Sequence, residues 1–231
     1  MKVIAILLLQ CSNQNISKED LEIQRINEVE KQKQIQLQLQ LNQTKSFLDN
    51  STATSCLPFG DYPGVHQIKV SGFGFFNVKC DIQSAGPGWI IIQQRVGTIQ
   101  SDFFLGLEKI HRLTNSQRFE LLLHFVGRNG LTFYAQYDNF KISDEDTGYA
   151  LSLGAFNGNV RDGLRDSEHM KFSTSDRDAL DFLNCAQEFK NGWWHRGCFD
   201  WNLNLLDGID ETLDFFGVPL KSVQMLIRPK E

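Results

Sequence analysis

Residues 12–52 contain no Gly, Pro, Trp or Cys, and all four residue types appear from Ala53 onward. Gly and Pro are the strongest local punctuation of a chain. The first stretch therefore reads as one unbroken polar element. The second has the turns, aromatics and cysteines of a packed domain. A length of 231 residues fits one sizeable domain with an appendage.

The appendage, residues 13–52, is dense in glutamine, as in KQKQIQLQLQLNQTK. Ile23, Ile26 and Val29 step at helical spacing, whereas Ile35, Leu37, Leu39 and Leu41 alternate with period two, a strand signature. Heptads are not sustained, because Glu30 and Lys33 fall where apolar residues belong. Two readings stand: a helical stalk that pairs with copies of itself, and a solvated, partly disordered linker.

Ahead of it, MKVIAILLLQCS combines Lys2 with an unbroken apolar run from Val3 to Leu9. That run is too short to span a bilayer and reads as a signal peptide over residues 1–12, so no membrane span is expected. Sequons for N-glycosylation occur at Asn15, Asn42 and Asn50 and nowhere else, which suits exposed, secreted polypeptide. Removal of Cys11 with the leader leaves Cys56, Cys80, Cys185 and Cys198. Four cysteines permit three connectivities. Proximity favours Cys56–Cys80 and Cys185–Cys198, each contributing about 3–4 kcal/mol in an oxidising compartment.

From Ala53 to the end, strand signals occur at Trp89–Arg95, Arg118–Val126, Leu131–Ile142 and Val223–Arg228. Arg128–Gly130 supplies a hairpin turn between the second and third. A helix is expected from Ser101 as its cap, with Asp102 complementing the dipole and Phe104, Leu107 and Ile110/His111 on its inner stripe. The stretch GAFNGNVRDGLRDSEH reads as loop. Strands and a helix without βαβ rhythm indicate the α+β class.

Several chemistries are disfavoured. Net charge is −5 and the sequence pI about 5.6, so no nucleic-acid partner is expected. No GxSxG elbow, P-loop, HExxH or CxxC pair is present, and the five histidines are scattered, so an enzyme is not expected. Asp176, Asp178 and Asp181 crowd the stretch STSDRDALDFLNC. Hard oxygen ligands of that kind suit calcium, but the EF-hand pattern is not met, and spacing alone favours a solvated acidic turn. NGWWHRGC sets two tryptophans beside Cys198. Core packing on a cystine and an aromatic rim for a flat ligand both account for it.

In order, SCLPFGDYPGVHQI, FFNVKCDI, GPGWIIIQQR, SDFFLGLEKIHRLT, FYAQYDNFKI, HMKFSTSDRD, NCAQEFKNGWWHRGC, NLN and LKSVQMLIRP resemble the fibrinogen C-terminal domain family. That family includes fibrinogen chains, ficolins, tachylectin-like lectins and angiopoietins. The likeness runs from about Ser55 to Pro229. It implies a domain over residues 53–231 with a central twisted, mostly antiparallel sheet and a loop-rich ligand subdomain at the Asp176–Asn204 end. It also implies the two disulfides that proximity favours. Calcium on the DxD loop, an acetyl group docked beside the second cystine, and a cis peptide at Gly197–Cys198 are further implications.

The chain departs from the family pattern at several of these positions. Asp176 and Asp178 match the calcium loop, while Leu180 replaces the next aspartate and Asp181 stands one position along. Loss of an anionic ligand weakens an extracellular calcium site. His195 stands where the family has an aromatic after WW, and Phe199 where it has histidine. The segments after Val96 and after Asn204 are shortened. The resemblance implies a secreted, non-catalytic recognition protein of innate-immune type that binds carbohydrate or acetylated groups. His195, Gly197, Cys198 and Phe199 would border the ligand. The alternatives are a ligand for a protein receptor, of angiopoietin or scabrous type, and a degenerate paralogue.

Overall fold

The computed structural model describes residues 18–96, 102–177, 184–198, 202–204 and 219–230. The chain divides into two compact units at Asp49/Asn50. Helix α1 (Lys18–Thr52) is 35 residues long, with Glu19 and Asp20 in its first turn, where acidic groups complement the helix dipole. It has no internal Gly or Pro and is built from good helix formers, Gln, Leu, Glu and Lys. The period-two stretch from Ile35 to Leu41 is helical, contrary to its strand signature. Alternate residues step by roughly 200° around a helix, so these four fall on opposite sides and remain exposed. No helix among the described residues is long and apolar enough to cross a membrane.

The second unit opens with a short 3-10 turn (Leu57–Phe59) and the strands β1 (Gly64–Val70), β2 (Gly74–Asp81), β3 (Trp89–Arg95) and β4 (Phe103–Phe104). Helix α2 (Leu107–Ser116) follows, then β5 (Phe119–Gly127), β6 (Thr132–Tyr137), β7 (Phe140–Ile142), β8 (Leu151–Leu153) and β9 (Phe156–Gly158). A second 3-10 turn (Leu164–Ser167), helix α3 (Cys185–Glu188) and β10 (Leu220–Pro229) complete it. Eight strands form one sheet in the order β1-β2-β3-β10-β5-β6-β9, with β4 added against β3. Its strand pairs are all antiparallel. The last strand of the chain is thus a central one, paired with β5 from Leu220 opposite Gly127 to Pro229 opposite Phe119.

Alternation decides the two faces of this sheet. Leu121, Leu123 and Phe125 of β5 and Val223, Met225 and Ile227 of β10 point into the main core, joined there by Ile90, Ala135 and Tyr137. Trp89, Ile91, Leu122 and Leu226 form a smaller cluster on the opposite face. Arg228 covers Trp89, its guanidinium carbon 4.5 Å from the ring centroid. The same arginine donates to the buried Glu120 carboxylate at 2.7 and 2.9 Å.

Helix α2 begins later than its sequence signals indicate. Asp102 does not cap it: its carboxylate accepts from the Arg95 guanidinium at 2.9 Å and from the Val96 N–H at 3.0 Å. Phe103 and Phe104 are in a strand, opposite Gln94 and Gln93. The helix starts after Gly106, whose φ of 99° is a conformation that favours glycine. Ser101 lies outside the described residues. The expected strand Leu131–Ile142 is broken into β6 and β7 at Asp138–Asn139, where Asp138 Oδ1 accepts the Ala155 N–H at 2.6 Å. The stretch read as loop holds β9 and the second 3-10 turn. Arg165 pins it, reaching Glu168 at 2.8 Å, Asp162 at 3.2 Å and the Gly154 carbonyl at 2.6 Å.

Candidate functional site

The site is assembled from four segments held by backbone pairing and one cystine. Cys185 and Cys198 are disulfide-bonded with their Cα atoms 4.9 Å apart, and Cys56 pairs with Cys80 at 5.7 Å. Both pairings are those that proximity favours. Helix α3 begins at Cys185 because Asn184 caps it: the Asn184 Oδ1 accepts the Gln187 N–H at 3.1 Å. The short helix turns the chain so that the Asn191 N–H reaches the Ala186 carbonyl at 3.1 Å.

Gly192 then passes directly over Phe172, where a Cβ would stand 2.5 Å from the ring. This close approach lets Ser173 and Trp193 pair, with N–O distances of 2.9 and 3.1 Å. Immediately after Ser173, Thr174 and Arg177 close a tight hairpin, at 2.8 and 3.0 Å, with Asp176 at its exposed tip. One backbone bridge thus ties the stem of the acidic loop to the cystine-clasped segment.

The tryptophans are structural. Trp193 and Trp194 are each 1% exposed and meet edge-on at 5.3 Å. Trp194 also packs edge-on against Phe172 at 5.0 Å and donates its Nε1–H to the Tyr149 carbonyl at 2.8 Å. His195 continues the buried run. Gly197 and Cys198 are half-buried and reach the surface beside the exposed Arg196. No cis peptide occurs among the described residues, so the Gly197–Cys198 bond is trans, against the expectation from the resemblance. A non-proline cis bond costs about 3–4 kcal/mol and persists only where its surroundings impose it; the described surroundings do not.

Sequence reasoning passed over the residues that brace this segment from below. Asn204 donates to the Gly192 carbonyl at 2.6 Å and accepts from Gln93 Nε2 at 2.9 Å and from Arg95 at 3.2 Å. Asn202 donates to Asn191 Oδ1 at 2.9 Å. The available signal was the pair of amides in NLN, because amides buried to this degree need partners. Two of the Asn204 partners, Gln93 and Arg95, lie over a hundred positions earlier, in β3.

Asp178, Asp181 and Phe199 lie outside the described residues, as do Asn15, residues 1–12, the side chain of Asn50 and the shortened stretches after Val96 and Asn204. Asn42 is exposed on α1. Among the described residues no three His, Cys, Asp or Glu side chains converge on a metal position. The described part of the acidic loop offers the Asp176 carboxylate and hairpin carbonyls, all hard oxygens of the kind calcium takes. The Thr174 hydroxyl, donating to Asp176, holds that carboxyl below its usual range. Arg177 is drawn aside to the Glu145 carbonyl at 3.1 Å.

With this geometry in view, the chain was compared with known proteins. Residues 61–215 match the family model of the C-terminal globular domain of fibrinogen beta and gamma chains. Techylectin-5A of Tachypleus tridentatus is 32% identical over 190 residues, covering 68% of this chain and 65% of that protein. Fibroleukin of Bos taurus is 34% identical over 198 residues, covering 67% and 45%. Tenascin-R of Gallus gallus is 34% identical over 162 residues, covering 61% of this chain but 12% of the relative. This chain therefore spans less than two thirds of the length of these curated relatives. Among solved structures, the fibrinogen-like globe domain of human ANGPTL2 superposes with a TM-score of 0.67 at 28% identity, covering 78% of this chain and 100% of that one. A lamprey fibrin D-dimer, solved with a Gly-His-Arg-Pro-amide peptide, shares the fold at 23% identity and a TM-score of 0.62. The sheet, the two cystines and these matches together place the chain in the fibrinogen C-terminal domain family.

Proposed function

We propose that this chain is a secreted, non-catalytic recognition protein whose Asp176–Cys198 end binds carbohydrate or acetylated groups with the help of calcium. The observation that supports the reading is the Ser173–Trp193 bridge, which ties the stem of the acidic hairpin to the segment closed by the Cys185–Cys198 cystine. Asp176, Asp178 and Asp181 would hold the metal. Gly197, Cys198 and Phe199 would border the ligand, with His195 packed beneath them. Calcium would supply charge that orders the loop next to the cystine. Helix α1 presents Leu21, Ile23, Ile26 and Val29 as exposed apolar groups. Pairing of α1 between copies would bury them and gather several weak sites into one avid assembly. Similarity to a techylectin supports the lectin reading.

A second reading, an extracellular ligand for a protein receptor, is favoured by one observation: His195 and both tryptophans are buried, so the described rim has few exposed aromatics. Retention on N-acetylglucosamine resin separates the two. Binding that is released by chelator supports the lectin reading. Failure to bind with or without calcium discards it in favour of the receptor reading.

A further inference from the structure

The sheet face turned away from the main core carries a second concavity, of about 450 Å³. Its floor is His124 of β5 with Tyr134 and Gln136 of β6. Ser84, from the β2–β3 loop, forms one wall, and Asn157 and Asn159, at the β9 edge, form the other. The fold builds these parts rigidly. Tyr134 packs against the cluster of Trp89, Ile91, Leu122 and Leu226, and its backbone N–H donates to Asn159 Oδ1 at 2.7 Å. Ser84 donates to Gln224 Oε1 at 3.0 Å, while Gln224 Nε2 donates to Gln94 at 2.9 Å.

The chemistry of the lining is selective. None of the lining residues is Asp, Glu, Lys or Arg. Burial lowers the affinity of His124 for a proton, outweighing its hydrogen bond with Gln224 and the more distant charge of Asp81, so the imidazole is neutral at pH 7. Two carboxylates adjoin the lining without facing it as free acceptors: Asp81 accepts the Ser84 N–H at 2.8 Å, and Glu120 is taken up by Arg228, Lys230 and Gln136 Nε2. Backbone groups of the floor are committed to the β5–β6 and β5–β10 ladders, so the floor offers side chains rather than backbone to a ligand. What remains is a fixed aromatic ring ringed by neutral amides and hydroxyls. Aromatic rings accept apolar sugar faces, and carboxamides pair in two directions with neighbouring hydroxyls.

We propose that this cleft is a second, metal-independent binding site for an uncharged saccharide. The apolar face of the sugar lies on Tyr134, and its hydroxyls bond to Asn157 and Gln136. It is separate in sequence and chemistry from the acidic loop, and it stands whether or not that loop binds calcium.

The test is titration of the isotopically labelled full chain with methyl glycosides of neutral hexoses in the presence of chelator, followed by amide and side-chain NMR shifts. Glucuronic acid serves as the charged control. The expected result is saturable shifts at Tyr134, Gln136 and Asn157, with affinity reduced about fivefold to tenfold by Asn157→Ala and more by Tyr134→Ala. Asn157 is exposed on an edge strand, so its truncation spares the fold. Asp176→Ala leaves the shifts unchanged. Absence of shifts, shifts unaffected by both cleft variants, equal binding of glucuronic acid, or binding that appears only with calcium would each overturn the proposal.

Discussion

Ser173 and Trp193 exchange both backbone hydrogen bonds, the Ser173 N–H donating at 2.9 Å and the Trp193 N–H at 3.1 Å, across nineteen intervening residues. This pair joins the stem of the acidic hairpin to the cystine-closed segment. Its geometry depends on residues that never touch a ligand.

Replacing Gly192 by alanine puts a methyl group 2.5 Å from the Phe172 ring. Phe172 cannot swing away freely, because it is buried against Trp194 and stacked on Phe104. The expected cost is about 1–3 kcal/mol, the range for overpacked sites. Urea unfolding of Gly192→Ala against the parent chain measures it, and an unchanged midpoint contradicts the crowding.

Removing the second cystine by the double change Cys185→Ser and Cys198→Ser frees a loop with a sequence separation of 13. Loop-closure entropy for that length corresponds to about 3 kcal/mol. Thermal unfolding is expected to move down accordingly while the sheet signal in circular dichroism persists below the transition. Removing Cys56–Cys80 leaves the Asp176 end intact and separates global from local effects.

Asn204→Ala removes an acceptor for Gln93 and Arg95 and a donor to the Gly192 carbonyl. Buried partners left unsatisfied cost about 1–3 kcal/mol in total. Hydrogen exchange is expected to quicken at Trp193 and Ser173 more than in β5 or β10. Uniform quickening across the domain contradicts a local bracing role.

The pH dependence of stability carries the signature of His124. Burial depresses its folded-state pKa below the ordinary 6.5. The unfolded chain therefore binds its proton first as pH falls, so this contribution is fully present above about 6.5 and declines below it. Urea midpoints measured from pH 7.5 down to pH 5 are expected to fall, and His124→Gln is expected to flatten that slope. A parent midpoint that stays constant or rises over this window contradicts the assignment.

How far the sequence foretells the structure varies with the range of the interaction. WIIIQQR and RFELLLHFV are dense apolar runs, and they form strands where they stand. The cystines follow from proximity. The insertion of β10 between β3 and β5 is a pairing across more than ninety positions, and no local pattern encodes it. Asp102 misleads for a related reason: it reads as an acidic complement to a helix dipole, but its carboxylate is taken by Arg95 and the Val96 N–H. Ile35–Leu41 misleads in the opposite direction, since alternation signals a strand only where a partner strand exists, and here helix propensity decides. At the candidate site, the acidic pair and the cystine are legible as a motif. The brace from Gln93 through Asn204 to Gly192 is not, because its bonds to Gln93 and Arg95 join residues more than a hundred positions apart.

The central claim is that the Asp176 hairpin, tied to the segment clasped by Cys185–Cys198, organises a surface for acetylated sugar. Its most direct test is calorimetric titration of N-acetylglucosamine into the full chain, in millimolar calcium and then in chelator, with Asp178→Ala alongside. The account predicts binding in calcium that is lost on chelation and in the variant. Equal heats in all three conditions, or no binding in any, contradict it.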